Sequence, residues 1–151
     1  MKITKEELKK VKFFEHYTDR QLAAISRIST VKEFRVKQIV FEQYDTLSEV
    51  YILLEGSVAL GISLSKTKRI ILGTVEEGQM FSWSAVFHPF ISTAWVMSLT
   101  PSKVIAVDAK KLNLEIEKDC DFGLKTMYWI AQTISLRLSD TRFQLINQLS
   151  I

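Results

Sequence analysis

Between Thr4 and Phe14 the apolar residues Leu8, Val11 and Phe14 recur every third position, which puts them on one face of a short helix. Thr4 stands ahead of that face, with Glu7 three residues on. At this spacing a hydroxyl and a carboxylate each take up a free backbone N–H of the other, so Thr4 is the expected N-cap. Thr18 holds the same place before Leu22, Ile25 and Ile28 and predicts a second helix. From Val31 the period drops to two. Ile39-Val40-Phe41, Val50 to Leu54, Val58 to Ile62 and Arg69 to Val75 are short β-branched or aromatic runs. Turn-forming residues separate them at Tyr44-Asp45-Thr46, Glu55-Gly56-Ser57, Ser63 to Lys68 and Glu76-Glu77-Gly78. Short strands at such regular intervals predict an antiparallel roll that closes, or nearly closes, on itself.

Two further runs, Thr93 to Leu99 and Lys103 to Val107, read as strands on either side of Pro101, and helix resumes at Asp108. The longest helical pattern covers Asp121 to Leu149 and contains no proline. Its apolar residues Leu124, Met127, Ala131, Ile134, Leu138 and Leu145 approach a heptad seam, with Thr141 as a polar interruption. Tyr128, Trp129, Phe143 and Ile146 lie off that seam, more apolar surface than one small roll consumes, and a homodimer through this helix is expected. The fold class is therefore mainly β with flanking helices. We expect one domain over 1–151, with N-terminal helices in 1–30, the roll in 31–108 and C-terminal helices in 109–151.

Charge changes the picture little. The net charge is +3 and the pI about 9.0, but ten of the twenty Lys and Arg residues fall between Lys2 and Lys37, interleaved with five acids. That is a solvated helical surface rather than a basic stripe, so no direct DNA binding is expected. The charged start, from Met1 to Lys10, has no apolar stretch behind it and is not a secretory signal, which predicts a cytoplasmic protein. The single Cys120 excludes an internal disulfide and is expected to be a small buried hydrophobe. His16 and His88 are the only histidines. They form no His-x-His or His-Glu cluster for a cupin-like metal, and no Ser-His-Asp or Cys-His arrangement is suggested, so neither a metal site nor an enzyme is expected.

From Gly78 to Ser102 there is no Lys, Arg, Asp or Glu. A membrane span is excluded by Pro89, Pro101, His88, Gln79 and seven Ser or Thr residues in that stretch. It reads instead as strand, turn, short helix and strand inside the roll, with a cassette over 78–94. Glu42-Gln43-Tyr44-Asp45, the run Val50-Tyr51-Ile52-Leu53-Leu54-Glu55-Gly56-Ser57-Val58, Gly73 to Phe81 and Thr93-Ala94-Trp95-Val96 together resemble the cyclic-nucleotide-binding domain family. The likeness runs from about Leu8 into the final helix. It implies an antiparallel β-roll (double-stranded β-helix, jelly-roll-like) flanked by helices. It also implies a ligand pocket formed by the cassette between two strands, and a C-terminal helix that closes over the ligand or pairs with another subunit.

On the matching positions the ligand-binding residues are Phe81, Ser82, Trp83, Ser84 and Ala85, then Ser92, Thr93 and Ala94. A turn feeding a short helix presents free N–H groups to a phosphate, and Ser82-Trp83-Ser84-Ala85 sits at such a turn. Typical members add a glutamate for the ribose hydroxyl and an arginine that grips the phosphate bidentately. Here Trp83 and Ser92 stand in those places. A charge-assisted contact contributes about 1.5–3 kcal/mol, so losing the cation reduces phosphate affinity by roughly one to two orders of magnitude. Cyclic AMP is therefore not the expected ligand, and no cofactor is expected. Trp83 either stacks on a less charged small molecule or fills the pocket as core, and His88 offers a positive donor only at lower pH. Three readings follow: a small-molecule sensor signalling through the last helix, a ligand-free dimerisation module, or the sensor half of a Crp/Fnr-like transcription regulator. The sequence ends at Ile151, directly after the long helix, so no recognition helix is expected.

Overall fold

The computed structural model describes residues 1–149, so positions 150 and 151 of the expected C-terminal segment lie outside the described residues. Both expected caps are present. The Thr4 hydroxyl accepts from the Glu7 N–H and the Glu7 carboxylate from the Thr4 N–H. Thr18 makes the same exchange with the Gln21 side chain. These boxes open α1 (Lys5–Lys9) and α2 (Asp19–Arg27), and a 3-10 turn, Lys12–Phe14, lies between them.

Eight strands follow: β1 (Ser29–Phe34), β2 (Ile39–Phe41), β3 (Glu49–Glu55), β4 (Val58–Ser63), β5 (Arg69–Val75), β6 (Met80–Phe81), β7 (Trp95–Ser98) and β8 (Ser102–Asp108). They form two antiparallel sheets of four strands, ordered β1-β8-β3-β6 and β2-β7-β4-β5. The strand expected from Thr93 starts at Trp95, because Ser92 and Ala94 are hydrogen-bonded to each other in a tight turn. Gly56, at φ +93°, makes the β3–β4 turn, where a Cβ would sit 2.6 Å from the Pro101 carbonyl.

Register decides which residues meet the helices. Val50 pairs with Val107 and Ile52 with Ile105, so these share the outer face of the first sheet. Val50, Ile52 and Val107 surround a small void with Phe13, Phe14, Tyr17 and Phe122 of the helical layer. Tyr51 turns the other way, with its ring 5.2 Å from that of Phe81. Val104-Ile105-Ala106-Val107 reads as an unbroken apolar run because both faces of β8 are covered, and all four are buried.

Asp108 caps α3 (Ala109–Lys118) by accepting from the Lys111 N–H at 2.9 Å. α4 (Cys120–Leu149) starts after a junction built on Gln21. The Gln21 carboxamide donates to Asp121 at 2.7 Å and to Asp119 at 3.3 Å. The backbone N–H of Phe122, and then Gln21, hold the Asp119 carboxyl below its usual range. Further in, Tyr17 and Thr126 share a buried hydrogen bond of 3.1 Å, and burial pushes the Tyr17 phenol up to about 12. Tyr17 therefore stays neutral at physiological pH and ties the N-terminal helices to α4.

The buried line of α4 is Phe122, Thr126, Ile130 and Arg137, a spacing set by 3.6 residues per turn rather than a heptad. Of the heptad positions, Met127 packs against the core, whereas Leu124, Ala131, Ile134, Leu138 and Leu145 are exposed. Thr141, expected as a break in the seam, instead faces the roll one turn after Arg137. Trp129 packs against Phe13 at 5.5 Å between ring centroids. Cys120 is exposed, contrary to the expectation of burial, because α4 begins at the surface. No helix among the described residues is long and apolar enough to cross a membrane.

Candidate ligand pocket beneath the C-terminal helix

β6 and β5 each form one edge of a sheet, and α4 lies across both. Under it is a cavity of about 130 Å³. Phe41, Leu60 and Val96 form an apolar base; Phe81, Ser82, Trp83 and Ser84 line one side and Ser92, Thr93 and Ala94 another. The two halves of the cassette thus lie around one space. Ala85 is buried in the core and is not part of the wall. Trp83 is half-buried at the edge of the cavity and leaves it open. His88 lies outside the wall, in an exposed loop with its ring against Phe90.

Local bonds fix both halves. Ser82 leaves β6 in the left-handed region, at φ 60°, and its hydroxyl donates to the Glu49 carbonyl at 2.7 Å. This turns the chain into the 3-10 turn Trp83–Val86. On the other side, the Tyr44 N–H donates to the Ser92 carbonyl at 2.8 Å and the Ser92 N–H to that of Asp45 at 2.9 Å. The Ser92 hydroxyl donates to the Ala94 carbonyl. Both hydroxyl protons are therefore consumed by the backbone, and Ser82 and Ser92 meet the cavity only as acceptors.

A buried cation lies on the helical side of the cavity. Arg137, 8% exposed, closes the cavity from α4 together with Thr141. Its Nη1 donates to the Thr74 carbonyl of β5 at 2.7 Å and to Asp140 at 3.1 Å, and its Nη2 to the Gln79 side chain, just ahead of β6, at 3.1 Å. One guanidinium thus clips both sheet edges to the helix. Its Nε is buried and has no hydrogen-bond partner among the described residues. Burial lowers the Arg137 pKa and Asp140 opposes the shift, yet a guanidinium remains charged at any physiological pH. Arg137 lies outside the cassette in which the sequence placed the ligand residues. The signal was a cation four residues after Thr133 and seven after Ile130, on the face opposite the leucines.

A second space, of about 290 Å³, lies on the other flank of Arg137, between Phe13, Met80, Trp129 and Leu136. No group of three or more His, Cys, Asp or Glu side chains placed to hold a metal occurs among the described residues.

An antiparallel roll whose cassette surrounds a cavity beneath a long helix is the fold of a regulatory-domain class. Residues 31–119 match the family model described as cyclic nucleotide-binding domain, and the chain belongs to that family. A putative cyclic nucleotide-binding protein from Geobacter metallireducens GS-15 is similar, with 27% identity, a TM-score of 0.79 and coverage of 90% of this chain and 98% of that one. The sensor domain of the transcriptional regulator DNR from Pseudomonas aeruginosa shares the fold at 17% identity and a TM-score of 0.71, covering 87% and 89% of the two chains. So does the c-di-GMP responsive global regulator CLP from Xanthomonas campestris, at 15% identity and a TM-score of 0.77, covering 89% of this chain and 66% of that one. A search of curated proteins returns no match.

Proposed function

We propose that the chain is a small-molecule-sensing regulatory domain whose ligand is not an ordinary cyclic nucleotide, and that its signal leaves through α4 to a second copy of the chain. One observation carries this reading: the helix supplies part of the pocket wall. Arg137 and Thr141 of α4 line the same cavity as Phe81, Trp83 and Ser92, so any occupant that contacts them differently in two helix positions shifts the balance between those positions. Ser92 and Trp83, where relatives carry arginine and glutamate, support altered ligand specificity. The similar fold of a regulator described as c-di-GMP responsive supports the view that this architecture serves more than one ligand. A non-catalytic role is part of the proposal.

The exposed face of α4 supports the second half. Leu124 is 72% exposed and Leu138 and Leu145 more than half exposed, with Tyr128 beside them. A soluble monomer rarely leaves such a stripe uncovered, and two antiparallel or parallel copies bury it at once.

Two measurements test the proposal. Across a panel of small molecules that includes cyclic AMP and cyclic GMP, a ligand that binds the folded state at a hundredfold excess over its Kd adds about 2.7 kcal/mol of stability. The melting temperature is expected to rise for at least one member, and a panel with no effect removes the sensor reading. Light scattering is expected to give a dimer for the native chain and a monomer for Leu138→Asp; a strict monomer for the native chain at high concentration removes the dimer.

A further inference from the structure

We propose that the space of about 290 Å³ between the 3-10 turn, β6 and α4 is a second binding site, for a monoanion with a flat apolar body and its charge at Lys12. The site shares only Arg137 with the cassette cavity and goes beyond the sensor reading above.

Size and wall chemistry set the body of the ligand. An apolar cavity of about 150 Å³ accommodates one benzene ring, and this space, nearly twice as large, has room for about two fused rings. Phe13 and Met80, 8% and 2% exposed, form its floor. The Trp129 ring stands 5.5 Å from that of Phe13, and Leu136, 52% exposed, is its rim. Such walls take a flat apolar group and give it a ring to stack on.

The site stays open when α4 pairs with a second copy. Leu136 and Leu138 are two residues apart, which places them about 160° from each other around a helix of 3.6 residues per turn. Trp129, one heptad before Leu136, shares its flank. A dimer through Leu124, Leu138 and Leu145 therefore covers the opposite flank.

Charge sets the headgroup. The ionic side chains of the wall are Lys12, Glu77 and Arg137. Arg137 is committed to Thr74, Asp140 and Gln79, and Glu77 accepts the Gly56 N–H at 3.1 Å. Lys12 is exposed, and its ammonium has no hydrogen bond or ion pair among the described residues. An anion at the mouth meets this ammonium, while Glu77 on the same wall opposes a second negative charge. Because Lys12 stays hydrated, the pair contributes as exposed ion pairs do, and the apolar body supplies most of the affinity.

The test uses the full chain, labelled at its methionine methyl groups, and two probes: 2-naphthoate and its neutral isostere 2-naphthamide. Naphthoate is expected to move the Met80 signal saturably and to leave that of Met97, in β7, in place. It should bind about two- to fivefold more tightly than naphthamide, the effect of one exposed ion pair. Lys12→Gln is expected to erase that preference without changing the affinity for naphthamide. Leu136→Glu, which removes an apolar wall and puts a carboxylate at the rim, should weaken naphthoate by about tenfold or more. Both replaced side chains are exposed, so the ligand-free variants should melt within about 2 °C of the native chain. If Leu136→Glu does not fold, Gln132→Trp, which fills the mouth, serves in its place. A shift at Met97 in place of Met80, equal affinities for the two probes, an unchanged affinity in the rim variant, or no saturable shift with either probe would each overturn the monoanion site.

Discussion

Replacing Phe122 by alanine is expected to lower the stability of the chain by about 4 kcal/mol, the range for emptying a fully packed aromatic site. Phe122 is 1% exposed, its ring lies 5.6 Å from that of Tyr17 at an edge-on angle, and its N–H is bound to Asp119. It fixes the first turn of α4 against the helical layer. The cavity left behind has little means of collapse, because Tyr17 is held by Thr126 and the opposite wall is β-sheet. Urea unfolding of the native and variant chains measures the difference directly; a loss below about 1 kcal/mol would mean that α4 is not anchored here. The functional consequence is specific. Arg137 reaches the pocket only if α4 is held at the correct height, so Phe122→Ala should also weaken any ligand that engages Arg137, even though residues 122 and 137 stand four turns apart.

Gly61→Ala is expected to cost about 3 kcal/mol, through overpacking rather than a void. Gly61 pairs with Trp95 across β4 and β7, at the point where the β4–β5 register shifts. A methyl group at this position would run into the carbonyl oxygen of Ile70 and the indole of Trp95. Neither can yield easily. Ile70 is held in the ladder with Ile62, and Trp95, 2% exposed, lies under the Arg69 guanidinium, which is in turn bound to both oxygens of Glu42. Displacing Trp95 moves β7, and the adjacent Val96 is a wall of the cavity. The variant should therefore unfold at lower denaturant and bind its ligand more weakly. A stability within about 0.5 kcal/mol of the native chain would show that β4 and β7 have room to separate.

Much of the architecture was legible in residue order because it is decided within a few residues. Thr4 with Glu7 and Thr18 with Gln21 satisfy their own helix starts and need nothing distant. Ile39-Val40-Phe41 and Arg69 to Val75 became strands with the expected bounds, since β-branched runs between turn residues have few alternatives. The cassette was legible for a different reason. Its uncharged composition suits only a covered space, and the resemblance supplied the positions, so that Phe81, Trp83 and Ser92 were placed before any tertiary contact was known. Ala85 was the exception: a small residue beside wall residues belongs to the core unless its side chain happens to face the cavity.

The face that α4 turns to the roll was not legible. Leucines at seven-residue intervals predicted a seam, and a seam does exist, but it faces outward. The inward stripe is partly polar, with Thr126, Thr133 and Arg137, and reads from sequence as solvent-facing. Polar side chains are tolerated there only because partners from distant strands meet them: Thr74 and Gln79 lie 63 and 58 residues from Arg137 in sequence. Periodicity thus determined that this segment is a helix, that the middle of the chain is a roll and where its turns fall. Which side of the helix meets the pocket, and that Arg137 of α4 lines it, were decided by the meeting of two sheet edges, a long-range event that no local pattern encodes.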